Sequence, residues 1–135
     1  TRYWRDWSSD VCSSDLVARC DRELAHCYVE LGDADLALSS AQKSVDVFTT
    51  AHDQRRLTYA SFELGKAQIL NGDVDEGLST LERVLDTAAE AEQKDFDFIM
   101  AIERRIASVL HTLGRSDEAV EIERRINSIA EILDE

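Results

Sequence analysis

Apolar residues along positions 17–135 recur every three or four places and never alternate with polar ones over a strand's length, which predicts helices throughout. Leu24, Tyr28 and Leu31 form one stripe. Leu57, Leu64, Ile69 and Leu70 form a second, and Ile102, Ile106, Val109, Leu110 and Leu113 a third. The pattern predicts six helices, over about 17–31, 34–51, 54–71, 74–93, 96–113 and 116–134. The last carries Ile122, Ile126, Ile129 and Leu133, so one of its sides is expected to pack on the fifth helix. Exposure of Ile132 and its neighbours decides between an end that forms homo-oligomers and a cap solvated by Asp134 and Glu135; the acidic cap is the expectation.

Read for internal similarity, the sequence has a period. Segments 24–41, 64–81 and 106–123 align on Gly32, Gly72 and Gly114, which stand 40 and 42 residues apart. A small residue lies seven places before each glycine (Ala25, Gly65, Ala107), and another lies five places after it (Ala37, Gly77, Ala119). Small side chains there let two antiparallel helices approach closely beside a turn. The glycine closes the first helix in a left-handed conformation at little strain. Asp33 and Asp73 are expected to cap the helices that follow, Glu76 to complete a capping box with Asp73, and Ser116 to cap in the third copy. Stacking hairpins covers the apolar face that each leaves bare. The expected fold is all-α, with three antiparallel helix-hairpin repeats over about 17–52, 53–94 and 95–135.

Residues 1–16 read differently. Positions 5–16, RDWSSDVCSSDL, resemble the translation of a sequencing-library adapter, so the segment is expected to be non-native and the natural N-terminus missing. Trp4, Trp7 and Cys12 then carry no functional information. The alternative is a native Ser/Asp-rich tail, and Ser13, Ser14 or Asp15 remain available to cap the first helix.

Composition narrows the class. An apolar content of 44% supports a packed core in 135 residues, and the absence of proline permits long helices. A formal charge of −13 repels phosphate backbones and anionic lipid, which argues against nucleic acid and membrane as partners. No apolar run reaches the roughly 18–20 residues needed to cross a bilayer, and no basic start precedes an apolar core, so a soluble, cytoplasmic protein is expected. Three cysteines are an odd count, and Cys20 and Cys27 lie seven residues apart on one predicted helix. That is roughly 10 Å along the axis, too far for a disulfide, so reduced thiols filling small spaces are expected.

The frame of small residue, glycine and small residue in all three copies resembles the tetratricopeptide repeat, with Tyr28 at the family's aromatic place in the first. The resemblance covers 17–135 and implies hairpins stacked as a right-handed α-solenoid. Two features depart from it. The proline that closes each repeat is missing, and the period is 40–42 rather than about 34. The longer period resembles repeats of kinesin light chains and of effector regions in bacterial transcriptional regulators. An unrelated α-solenoid or a six-helix bundle is the alternative.

Charge divides unevenly between the two helices of each hairpin. The second ones (33–52, 73–94, 115–135) carry −2, −5 and −4, whereas the first ones (17–31, 53–71, 95–113) carry −1, +1 and −1. In tetratricopeptide stacks the first helices line a concave groove, so the resemblance implies a nearly neutral groove and an acidic back. It places Arg19, Arg22, His26, Tyr59, Phe62, Lys66, Ile69, Arg104, Ser108 and His111 on the groove. Guanidinium forks beside aromatic rings suit a short acidic or amphipathic peptide. Glu23, Glu30 and Glu63 stand close enough in sequence to neutralise the same cations instead. The family's carboxylate-clamp subgroup, which holds the C-terminal aspartate of chaperones, finds two of its basic positions in Arg22 and Arg105. Glu63 replaces an expected amide and would repel a carboxylate, so chaperone binding is not expected.

Nothing in the spacing points to an enzyme, a cofactor or a metal. His26, His52 and His111 are scattered without ligand partners, and no phosphate loop or nucleophile elbow is present. The expected function is a protein-interaction scaffold binding a peptide or partner helix. The alternative is the C-terminal effector or oligomerisation region of a helix-turn-helix transcriptional regulator whose DNA-binding part is missing. The two share a fold.

Overall fold

The computed structural model describes residues 13–134, with side chains from Leu16 onward. Within them lie six helices and no strand: α1 Ser13–Leu31, α2 Ala34–Thr50, α3 Gln54–Leu70, α4 Val74–Glu90, α5 Phe96–Thr112 and α6 Ser116–Asp134. The expected boundaries hold to within a turn, with two differences. Helix α1 already includes Ser13, Ser14 and Asp15, so these residues lie inside the helix rather than capping it at position 17. Helix α4 ends at Glu90, three residues early. The expectation of a non-native segment falls mostly on residues 1–12, outside the described residues. No described helix is long and apolar enough to cross a membrane.

One turn recurs at four places. Gly32, Gly72 and Gly114 have φ of +80°, +96° and +79°, and the N–H of each bonds three residues back. The N–H of the next residue reaches five back, as in Asp33 to the Tyr28 carbonyl at 2.9 Å. This pair of bonds satisfies carbonyls that a helix end leaves free, and it requires a left-handed residue at the corner. The fourth corner is His52, φ +54°, which makes the same two bonds to Thr49 and, through Asp53, to Phe48. Histidine tolerates this region better than most side chains but less well than glycine.

Caps follow the aspartates. Asp33, Asp53 and Asp95 accept hydrogen bonds from the N–H groups of Leu36, Arg56 and Phe98. The capping box expected at Asp73 does not form. The Asp73 N–H that Glu76 would have to reach is already committed to the Gln68 carbonyl by the turn, and Glu76 accepts from the Gln68 side chain instead. Ser116 is likewise not the cap of α6. It is the first helical residue, and its hydroxyl lies 3.2 Å from His111 Nδ1. Arg115 precedes it and grips Glu118 with its guanidinium, which holds that carboxyl below its usual range.

The chain divides into two compact units at the junction between Thr80 and Leu81, inside α4. In the first, α1 packs on α2 and α3, and α2 on α3. The repeat's small residues are buried here: Ala25 and Ala37 fully, with Gly65 and Gly77 facing each other. A Cβ on Gly77 would sit 2.9 Å from the Gly65 carbonyl oxygen and collide with Ile69. Ser44, also fully buried, donates to the Ala18 carbonyl of α1 at 2.9 Å, which only closely packed helices permit. Phe48 supplies the bulk between Ala18 and Ala60. In the second unit α5 packs on α6, and Ile102, Ile106, Leu110 and Ile126 are buried with Ala107 and Ala119.

Several leucines expected in the core are not there. Leu24, Leu31, Leu70 and Leu113 are exposed, because α1 turns its alanine line, Ala18 and Ala25, toward its neighbours, and because Leu31, Leu70 and Leu113 adjoin the turns. Cys20 and Cys27 are exposed too, rather than filling small spaces. On α6, Ile132 and Leu133 are bare.

The His52 corner yields a stability prediction. Replacing His52 by glycine relieves the left-handed strain and should stabilise the chain by about 1 kcal/mol, read as a higher urea midpoint at unchanged slope.

Candidate functional site

The residues expected to form a groove fall into two groups, one in each unit. In the first unit α1 and α3 lie side by side in repeat register: His26 and Lys66 occupy equivalent positions 40 residues apart, and His26 Nδ1 is 3.3 Å from Lys66 Nζ. The lysine is nonetheless committed. Its side chain is 4% exposed, its Nζ sits 2.9 Å from Glu63 Oε2, and the Phe62 ring centroid is 4.5 Å away. The Glu63 contact is an ion pair whose geometry falls short of a hydrogen bond at Oε2. Glu63 Oε1 also lies 3.6 Å from His26. Arg22 is held by Glu23 at 2.9 Å and stacks over the Tyr59 ring, 5.9 Å from its centroid. Arg19 is exposed, and Tyr59 and Ile69 are half-buried.

This geometry removes Lys66 from the row of available cations expected in the first unit, whereas Arg19 stays exposed. Lys66 is a buried ion-pair partner, and an acidic ligand would have to displace Glu63 to reach it. The sequence had both halves of that pair at i and i+3, the spacing at which helical neighbours meet.

The second unit brings Arg104, Ser108 and His111 to one open pocket of about 510 Å³, together with Ala107, Thr112 and Glu123. Spacings of three and four along α5 put the first five lining residues on one stripe, and α6 adds Glu123 across the hairpin. His111 spans the wall, Nε2 lying 2.6 Å from Glu123 Oε1 and Nδ1 3.2 Å from Ser116 Oγ. A carboxylate carries no proton, so Nε2 donates to Glu123. Thr112 donates its hydroxyl to the Ser108 carbonyl. Arg104 is exposed and has no ion-pair partner among the described residues. The pocket therefore offers one free guanidinium and the Ser108 hydroxyl beside an imidazole already engaged. Glu123 was not foreseen, because its place depends on how α6 crosses α5; Thr112, four residues after Ser108 on the same stripe, was legible from spacing but was not singled out.

Behind this stripe α5 buries a carboxyl group. Glu103 is 5% exposed, and its Oε2 has no hydrogen-bond partner among the described residues. Desolvation raises its pKa above the usual carboxylate range, against the pull of Arg125. No group of three or more His, Cys, Asp or Glu side chains among the described residues is arranged to hold a metal.

Two outcomes follow from the buried charges. Lys66→Ala leaves Glu63 buried without its cation and should destabilise by about 3 kcal/mol, a loss recovered in part by adding Glu63→Gln; chemical denaturation of the parent and the two variants measures it. Glu103 keeps its proton in the folded state at pH values where the unfolded chain has released it, so its contribution to stability is lost as pH rises from the usual carboxylate range through the raised value. The advantage of Glu103→Gln over the parent should therefore grow as pH rises above the usual carboxylate range, measured as the difference in urea midpoints.

Compared with family models, with curated proteins and with solved structures, the chain matches none.

Proposed function

We propose that this chain is a protein-interaction scaffold of the tetratricopeptide type, its hairpins stacked as a right-handed solenoid, which binds an acidic or amphipathic peptide and catalyses no reaction. The single observation that carries the peptide site is the exposed Arg104, without an ion-pair partner among the described residues, beside Ser108 in an open pocket of about 510 Å³. A guanidinium binds a carboxylate through two parallel N–H donors, and a neighbouring hydroxyl adds a third contact. Arg22 and Lys66 are engaged by Glu23 and Glu63, and of the remaining exposed arginines Arg104 is the one that lines the pocket. Support for the repeat reading comes from the left-handed turns at the three glycines and from the His26–Lys66 contact one period apart.

The test is a peptide array probed with the purified chain, followed by fluorescence anisotropy on the best binders. Those binders should carry Asp or Glu next to an apolar residue. Arg104→Glu should weaken them about tenfold or more, equivalent to about 1.4 kcal/mol, whereas reversal at exposed Arg55 should not. An array without acidic binders, or equal affinity for the Arg104 variant, rejects the site.

A further inference from the structure

Helix α1 buries one face and leaves another bare. Val17, Cys20, Leu24, Cys27 and Leu31 follow one another at intervals of three and four residues, and all five are exposed, Leu31 by 79% and Val17 by 55%. Single exposed apolar residues are ordinary. Five in one line are not. The alternating interval is the seam with which one helix receives the apolar edge of another.

Charge indicates which helix fits. Asp21, Glu23 and Glu30 border the seam, with the exposed Arg19 one turn before Glu23, and Asp35 opens α2 just beyond its end. Arg22 neutralises Glu23. Asp21, Glu30 and Asp35 have no cation partner among the described residues. The last turn of α1 holds no basic residue, although the carbonyl end of a helix gathers partial negative charge. Glu30 therefore stands where a cation belongs. A second copy of this chain would bring the same acidic border and a formal charge of −13 against its own kind.

We infer that the bare face of α1 docks an amphipathic helix of a partner protein, apolar at alternating three- and four-residue spacing and bordered by Lys or Arg, with its cations concentrated against the C-terminal end of α1. This surface is separate from the Arg104 pocket and acts through burial of the seam, with the acidic border setting partner choice.

The experiment uses the full chain carrying Cys12→Ser, so that Cys20 and Cys27 alone report. The probe is a fluorescein-labelled peptide of about three heptads with Leu at the a and d positions and Lys at e and g. Binding should be saturable and should weaken as salt is added. The double variant Leu24→Glu/Leu31→Glu should weaken it about tenfold or more, and Leu24→Ala/Leu31→Ala, which adds no charge, in the same direction. A twin peptide with Glu in place of Lys should not bind. Ellman's reagent should titrate both thiols rapidly in the free chain and slowly in the complex. Thiols already shielded in the free chain, a dimer by light scattering, no saturable binding of the Lys peptide, or equal binding of its Glu twin would each overturn the inference.

Discussion

The distance between two packed helices is set by what lies between them, and at the hairpin turns of this chain that is an alanine or a glycine. Ala25 and Ala37, Gly65 and Gly77, and Ala107 and Ala119 are all buried, and the absence of a β-carbon at Gly77 is what leaves room for the Gly65 carbonyl. Close backbones bring polar side chains within reach of a neighbour's main chain, as Ser44 shows at Ala18. They also leave little room for large residues, so the bulk of the core rests on a few of them: Phe48, Leu81 and Ile102 are the largest fully buried side chains. Leucines that cannot enter the narrow seams are carried at the surface, where their cost is small.

Two carboxylates are buried beside these seams, and they are treated differently. Glu63 has Lys66 at 2.9 Å, and the same lysine meets His26 of the neighbouring helix. Sliding α3 by one turn, about 5.4 Å, would carry Glu63 and Lys66 together away from His26, so it is the contact with His26 that favours one register, even where its net stabilisation is small. Glu103 has no such partner at Oε2 among the described residues, and the field of Arg125 only partly opposes its desolvation. It behaves as an acid that burial holds toward its neutral form.

Much of the architecture was legible because its signals are local. Glycine at a left-handed corner, aspartate one place later and small residues at fixed offsets each act within a few residues of where they are read. The six helices emerged with boundaries close to those observed. The His52 corner was legible only as a gap between helices, since nothing in a histidine announces a positive φ. The assignment of core leucines failed for a tertiary reason: Leu24 and Ala25 are neighbours in sequence, and the partner helix takes the alanine. Of the groove residues, Arg104, Ser108 and His111 do share a pocket, while Lys66 is consumed by the glutamate that sequence spacing had placed beside it. Glu123 reaches His111 across twelve residues and could be placed only after the hairpin was.

Helices α2, α3, α4 and α5 are each 17 residues long. The difference between the two glycine spacings therefore cannot lie in the helices. It lies in the exposed connection at 91–95, two residues longer than the tight corner at 51–53. Periodicity in this chain is a property of rod length, and the joints absorb any irregularity. A further residue added within 91–95 would change the sequence period again without rotating a single buried side chain out of phase, whereas one added inside α5 would rotate everything beyond it by about 100°.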